Sequence, residues 1–100
     1  MKIAIDFDGT ICKRNGIPTI MEDTDEPVDG AKDAIKLLLK QGHDVWVFTS
    51  NPYIDDVSTW LEKYGFPDLE VTNIKKPAHV YIDDRALRFT NWQDMRKYFV

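Results

Sequence analysis

The chain has 100 residues, 43% apolar and 30% charged, which predicts a single folded domain over residues 1–100. A net charge of −4 argues against a broad nucleic-acid-binding face, and a single cysteine excludes an intrachain disulfide and a multi-cysteine zinc site. No apolar run is long enough to span a membrane, and the acid at Asp6 interrupts any secretory signal, so we expect a cytoplasmic protein.

The first quarter of the chain predicts a buried strand, a turn and a small hairpin. Ile3-Ala4-Ile5 is short and apolar, and an acidic segment ending in Gly9 follows it. Asn15-Gly16 lies in the middle of the segment from Ile11 to Ile20, and this dipeptide is the strongest short hairpin signal. We therefore expect a hairpin here, followed by a polar loop from Met21 to Pro27.

Two cations, Lys13 and Arg14, fall near the tip of this predicted hairpin. A hairpin tip favours a solvated pair of side chains, and contact with an anionic substrate is the alternative interpretation. The neighbouring Cys12 has no histidine close in sequence, so a catalytic thiol is not favoured.

The rest of the chain alternates helices with strands. Apolar residues at helical spacing predict a first helix capped by Asp29 and ended by Gly42. A second helix is predicted with Asn51 as its N-cap and Gly65 at its end. The remaining predicted elements are strands at Val45–Phe48, Leu69–Thr72 and Val80–Ile82, and a last helix with Trp92, Met95 and Phe99 on one face. This order predicts an α/β fold, a three-layer α/β/α sandwich with a mainly parallel, Rossmann-like sheet.

Polar residues follow three of the predicted strands: Asp6 and Asp8, Thr49 and Ser50, and Asp83 and Asp84. Ligands of parallel sheets gather at the carboxyl ends of the strands. If the first and fourth strands are neighbours, the four carboxylates converge and repel one another, so they need protons or a cation. Hard oxygen ligands of this kind suit Mg²⁺. A bound Mg²⁺ with a free carboxylate beside it can catalyse phosphoryl transfer.

The residue types allow a division of labour in such a reaction. Asp6 can attack phosphorus and form an aspartyl-phosphate, while Asp8 protonates the leaving oxygen and later activates water. Thr49 supplies a hydroxyl for a phosphoryl oxygen. A lysine, either Lys75 or Lys76, would hold the nucleophile and the phosphoryl group electrostatically.

Four segments resemble, in order, the four motifs of the haloacid dehalogenase superfamily, whose members are mostly phosphatases. They are Asp6-Phe7-Asp8-Gly9-Thr10, Val47-Phe48-Thr49, Lys76, and Val80-Tyr81-Ile82-Asp83-Asp84. Each motif alone is weak, but four in the family's order, each at a strand or loop end, are a specific pattern. The resemblance covers most of the chain and implies the fold and the activity of that superfamily.

The resemblance also implies a role for each matched position. Asp6 would be the nucleophile and a metal ligand, and Asp8 the acid/base, with its backbone carbonyl on Mg²⁺. Lys76, which lies against Pro77, is preferred to Lys75 as the lysine that steadies the intermediate. Asp83 would bind the metal directly, and Asp84 directly or through water. The substrate-binding positions would be Gly9, Thr10, Thr49, Ser50 and Asn51.

Members of the superfamily usually carry a cap domain, but neither Thr10 to Val28 nor Ser50 to Ile74 has room for one. The resemblance therefore implies a small capless member whose hairpin is the family's flap. We expect a Mg²⁺-dependent phosphomonoester hydrolase with a phosphorylated substrate of unknown size, which includes nucleic acid only as a phosphorylated substrate. A second subunit is the alternative cover for the open site.

Two other functions fit part of the pattern. A receiver domain also uses acids, Thr and Lys on a parallel sheet, but it carries its phosphorylated Asp after the third strand. Here that strand ends in Val71-Thr72-Asn73, without an acid, and the paired acids come last. A catalytically silent phosphate-binding module is the second alternative, but no motif position is lost.

Overall fold

A computed structural model describes residues 1–14 and 25–99 of the chain. Within these residues it contains four strands: β1 (Lys2–Ile5), β2 (Asp44–Phe48), β3 (Val71–Thr72) and β4 (Val80–Ile82). The described helices are α1 (Ala31–Lys40), α2 (Ile54–Lys63) and α3 (Trp92–Arg96). The α/β class and the order of the elements are as predicted. No described helix has the length and apolar character needed to cross a membrane.

The four strands form one sheet in the order β3-β2-β1-β4, and every neighbouring pair is parallel. Ile5 of β1 is in register with Val47 of β2 on one side and with Ile82 of β4 on the other. The first and fourth strands are therefore neighbours, as the convergence of the acids requires. The carboxyl ends of β1, β2 and β4 meet at one edge.

The core lies on one face of the sheet. Alternate residues of β1 and β2 point to this face because the side chains of a strand alternate. Both α1 and α2 pack against it, so these two helices cover the same face. The buried cluster includes Ile3, Ile5, Val45 and Val47 from the strands, Ile35 from α1, and Val57, Trp60 and Leu61 from α2.

The opposite face of the sheet carries aromatic side chains. Trp46 is buried, and the Lys76 ammonium lies 4.5 Å from its ring centroid. The rings of Phe48 and Tyr81 are 6.3 Å apart in an edge-on contact. The Tyr81 hydroxyl donates to the Lys76 carbonyl, so the loop between β3 and β4 lies across this face.

The last helix differs from the prediction of one continuous apolar face. Its Met95 is buried, but Trp92 is 73% exposed and Phe99 81% exposed. The helix has only five residues, less than two turns, and ends at Arg96, before Phe99. A stripe that needs three successive turns therefore does not form.

Both predicted N-caps are wrong. The N-cap of α1 is Gly30 rather than Asp29, and no side chain caps that helix end. The N-cap of α2 is Tyr53, because the Asn51 side chain accepts a hydrogen bond from the Tyr53 N–H and turns the chain before the helix begins. The helix ends are as predicted, since Gly42 and Gly65 follow the last turns.

The turn of the predicted Ile11–Ile20 hairpin lies outside the described residues. The first residues of that segment pair with the chain that returns after it. Lys13 N–H donates to the Glu26 carbonyl at 2.7 Å, and Val28 N–H donates to the Ile11 carbonyl at 2.7 Å. Residues 11–13 and 26–28 thus run side by side next to the turn that follows β1.

Candidate active site

Three carboxylates meet at the carboxyl edge of the sheet. Asp6 directly follows β1, and Asp83 and Asp84 directly follow β4. The Asp6 N–H donates to the Ile82 carbonyl at 2.9 Å, which holds the first acid beside the other two. One carboxylate oxygen from each of the three acids lies within 4.8 Å of the others. The structure therefore brings together three of the four acids identified in the sequence.

The charges of this cluster repel one another. Burial, the neighbouring Asp83 and, to a smaller degree, Asp84 raise the pKa of Asp6 from its ordinary 3.8 to about 7. The closeness of the Asp84 carboxyl group thus favours the form of Asp6 that carries a proton. A cation can replace that proton and relieve the repulsion. Close oxygen ligands with excess negative charge fit a hard divalent ion such as Mg²⁺.

Asp8 lies outside this cluster, with its side chain in different surroundings. Only 3% of the residue is exposed, and Oδ2 accepts a hydrogen bond from Asn51 Nδ2 at 3.3 Å. Oδ1 makes an ion pair with Arg14 Nε at 3.3 Å. Burial raises the pKa of Asp8, and the charge of Arg14 and the Asn51 hydrogen bond partly oppose this rise. The side chain is therefore not a ligand candidate, and a metal role for Asp8 would use its backbone carbonyl.

Three predicted substrate-binding positions follow β2, and they differ in burial. Thr49 and Asn51 are buried, whereas Ser50 is exposed. Thr49 Oγ1 accepts a hydrogen bond from the Asn51 N–H at 3.0 Å. Because the Asn51 side chain also contacts Asp8, it connects the end of β2 to the turn after β1. Asn51 is thus a buried link within the site.

Gly9 lies where the turn after β1 comes closest to the acids after β4. Its φ of +86° is in the left-handed region that favours glycine. A Cβ at this position would overlap Asp84 Oδ2 and lie 3.2 Å from the Arg14 carbonyl oxygen. The next residue, Thr10, has a buried hydroxyl without a hydrogen-bond partner among the described residues. This hydroxyl is available to a ligand that reaches the turn.

The two candidate lysines have different surroundings. Lys75 lines a cavity that Asp6 and Asp83 also line, and its ammonium lies 5.0 Å from the Tyr81 ring centroid. Lys76 makes an ion pair with Glu70 and lies over Trp46. Lys75, and not the Lys76 preferred from the sequence, therefore shares a cavity with the acids.

Sequence reasoning missed the role of Arg14. It was expected at an exposed hairpin tip, but only 7% of its side chain is exposed, and it pairs with Asp8 and Asp25. Its neighbour Lys13 is half-exposed and lies 3.9 Å from the carboxylates of Glu26 and Asp29. The residue types carry no signal that separates the two cations. Which one turns inward depends on how residues 11–13 pair with residues 26–28.

No protein-family model, curated protein or solved structure matches this chain. The resemblance to the haloacid dehalogenase superfamily therefore rests on the four motifs.

Proposed function

We propose that the protein is a Mg²⁺-dependent phosphatase of the haloacid dehalogenase type that hydrolyses a phosphomonoester through an aspartyl-phosphate on Asp6. The observation that carries this proposal is the meeting of Asp6, Asp83 and Asp84 at the carboxyl edge of a parallel sheet. Asp8, two residues from the nucleophile, is buried and contacts the Asn51 amide and the Arg14 guanidinium. The two carboxyl groups are thus suited to different tasks.

The reaction has two steps. In the first, an Asp6 oxygen attacks phosphorus in line, the bond to the leaving oxygen breaks, and Asp8 donates its proton to that oxygen. Burial raises the pKa of Asp8, which favours the protonated form that this step needs. In the second step Asp8 takes a proton from water, whose oxygen attacks phosphorus. The Asp6 carboxylate is released and inorganic phosphate leaves.

The remaining residues bind and orient the phosphoryl group. Mg²⁺, when bound, offsets the negative charge of the phosphoryl oxygens. Asp6, Asp83 and Asp84 would hold the ion, because their carboxylate oxygens lie close together. The negative charges of Asp83 and Asp84 help to raise the pKa of Asp6, and a bound cation would offset them. The hydroxyl groups of Thr10 and Thr49 are donors for phosphoryl oxygens. Lys75 is the cation that we assign to the intermediate, since it lines the same cavity as Asp6.

We also propose the finer architecture of a small capless member. The stretch between β2 and β3 holds only α2, which leaves no room for a cap there. We propose that α3 and the segment that leads to it form the third layer. Leu87 and Phe89 line a cavity together with Phe48 and Tyr81, on the face of the sheet opposite the core. A phosphorylated substrate of unknown size, a second subunit as cover, and a cytoplasmic location are parts of the same proposal.

The experiment that tests the proposal is a phosphatase panel with Mg²⁺. It contains an aryl phosphate, nucleotides, sugar phosphates, 3′- and 5′-phosphorylated oligonucleotides and phosphopeptides, and it measures released inorganic phosphate. We expect turnover of at least one class, which chelator and Asp6→Asn each remove. The matched control is Asp68→Asn, at an exposed acid remote from the site, which should keep full activity.

Two results would overturn the proposal at different levels. A wild-type protein that releases no phosphate from any substrate in the panel is not a phosphatase. An Asp6→Asn variant that keeps most of the activity excludes the covalent mechanism, because the amide is of nearly equal volume and cannot act as this nucleophile.

A further inference from the structure

We propose that Arg14 is a positioning residue, which holds the Asp8 carboxyl in the orientation needed for proton transfer to and from the reacting oxygen. This inference rests on the proposed phosphatase function. It adds to that function a residue outside the four motifs that carry the resemblance.

The first observation is the burial of both charged partners. The Arg14 side chain is 7% exposed and the Asp8 side chain 4% exposed, and Nε lies 3.3 Å from Oδ1. Arginine is almost never buried to this degree unless it is paired. Its guanidinium is a planar group with donors in fixed directions, so it fixes orientation better than an ammonium does.

The second observation is that each oxygen of Asp8 has a different neighbour, a hydrogen-bond donor at Oδ2 and, at Oδ1, a guanidinium in an ion pair without hydrogen-bond geometry. Arg14 contacts Oδ1, and Asn51 Nδ2 donates to Oδ2 at 3.3 Å. A rotation of the carboxyl group about its side-chain bonds would break both contacts. Asn51 is itself fully buried and connected to Thr49, so this side of the carboxyl is fixed by the end of β2.

The third observation is that the Arg14 atom that contacts Asp8 also faces a second carboxylate, that of Asp25. Its Nε lies 3.7 Å from Asp25 Oδ2. The Asp25 carbonyl accepts hydrogen bonds from Trp60 Nε1 at 3.1 Å and from the Tyr64 hydroxyl at 2.8 Å. Both of these donors belong to the end of α2 that packs on the core. A continuous set of contacts therefore runs from the core through Asp25 and Arg14 to Asp8.

A direct contact of Arg14 with substrate is a different role, and the burial of its side chain argues against it. A cation that recruits a phosphoryl group would have to expose its guanidinium to the substrate. Loss of such a cation raises KM, whereas loss of a positioning contact lowers kcat with KM unchanged. The two roles therefore separate in steady-state kinetics.

The test compares Arg14→Gln and Arg14→Lys with Lys13→Gln, which changes the adjacent, half-exposed cation. For Arg14→Gln we expect kcat on an alkyl phosphomonoester to fall by roughly 10- to 100-fold with KM unchanged, since small misplacement of a reacting group has effects of this size. The loss on an aryl phosphate should be smaller, because a good leaving group needs less protonation. Arg14→Lys should recover part of kcat, and Lys13→Gln should match the wild type.

A double-mutant cycle shows whether Arg14 acts through Asp8. In an Asp8→Asn background, Arg14→Gln should cause no further loss of kcat on the aryl phosphate. Additive losses would overturn the positioning role, as would a rise in KM with unchanged kcat.

Asp25→Asn keeps the test open if Arg14→Gln fails to fold. It removes the second carboxylate but leaves Arg14 and Asp8 in place, so we expect a smaller loss of kcat with the same dependence on the leaving group. Unchanged kinetics in a folded Arg14→Gln, or in Asp25→Asn where Arg14→Gln does not fold, would overturn this inference alone. A wild-type protein without phosphatase activity would overturn the proposed function and this inference with it.

Discussion

Asp6 and Asp8 are separated by one residue, yet their carboxyl groups have opposite surroundings. Asp6 faces two other acids, and its pKa is raised to about 7. Asp8 faces a guanidinium and an amide. Phe7 between them is fully buried, and its ring packs edge-on against Trp60 with centroids 5.1 Å apart. This apolar anchor fixes the turn, so that the two acids are held at different places around it.

A substitution at Gly9 should separate steric contact with the acids from backbone strain. Gly9→Ala and Gly30→Ala place a side chain at nearly the same positive φ, +86° and +83°, which costs about 1–2 kcal/mol in each. Only at Gly9 does the added Cβ overlap Asp84, whereas at Gly30 it meets open space. Gly9→Ala should therefore lose more unfolding free energy, and also lose most of the Mg²⁺-dependent rise in Tm. Equal losses in both properties would contradict the close approach.

The two lysines should differ in what they affect. Lys75→Ala should lower kcat by about 10²-fold, because it removes a cation that lines the same cavity as the nucleophile. Lys76→Ala should leave kcat nearly unchanged and lower the unfolding free energy by about 1 kcal/mol, since it removes the contacts with Glu70 and Trp46. Steady-state kinetics and urea denaturation of both variants check this. The reverse pattern would assign the active-site role to Lys76.

At the scale of elements, α2 contacts both the core and the segment that carries Asp25. Val57, Trp60 and Leu61 pack on the sheet, and the end of the helix binds the Asp25 carbonyl. The other side of β4 has no described strand beside it, and Val80 is 39% exposed. Stability is therefore expected to depend on α2 more than on β4.

Two valines test this difference. Val57 is fully buried, so Val57→Ala should lower the unfolding free energy by about 2 kcal/mol, from two lost methyl groups and a residual cavity. Val80→Ala makes the same chemical change at a half-exposed edge and should cost less than about 1 kcal/mol. Urea denaturation monitored by tryptophan fluorescence measures both. Equal costs would mean that the outer edge of β4 is covered in solution.

At the scale of the whole molecule, the acidic cluster couples folding to pH and to metal. Between about pH 4 and pH 7 folded Asp6 keeps a proton that the unfolded chain has lost. The free energy of unfolding should therefore fall as pH rises through this window. The raised pKa of Asp8 acts in the same direction. Thermal scans in chelator should give a lower Tm at pH 8 than at pH 5, with a smaller slope in Asp6→Asn.

Bound Mg²⁺ should restore the free energy of unfolding that is lost as pH rises. Mg²⁺ at a hundredfold excess over its Kd stabilises the folded state by about 2.7 kcal/mol. For a domain of this size each kcal/mol raises Tm by ~4–8 °C. The increment should be largest near pH 8, where Mg²⁺ competes least with protons, and small in Asp6→Asn. A Tm in chelator that rises from pH 5 to pH 8, or an equal Mg²⁺ increment in Asp6→Asn, would contradict a cation site at these acids.

Local patterns were enough to predict the element order and the strand-end acids. The apolar runs that end at Ile5, Phe48 and Ile82 predict buried strands because they are short and continuous, and the stripe of Val57, Trp60 and Leu61 predicts a helix from its spacing. These patterns express which side chains of an element avoid water, and each pattern is complete within a few residues. The N-cap predicted at Asn51 was wrong because its side-chain oxygen accepts from the Tyr53 N–H before the helix begins, while its amide nitrogen donates to Asp8, which is distant in sequence.

The tertiary structure decided the choices between chemically similar neighbours. Lys75 and Lys76 have equal charge and reach, but only Lys75 shares the cavity of Asp6, because the loop turns Lys76 onto Trp46 and Glu70. Arg14 is buried and Lys13 half-exposed, although both are cations on the same segment. A side chain's direction depends on which distant strand or loop pairs with its backbone. That pairing is a property of the folded chain, which sequence spacing does not contain.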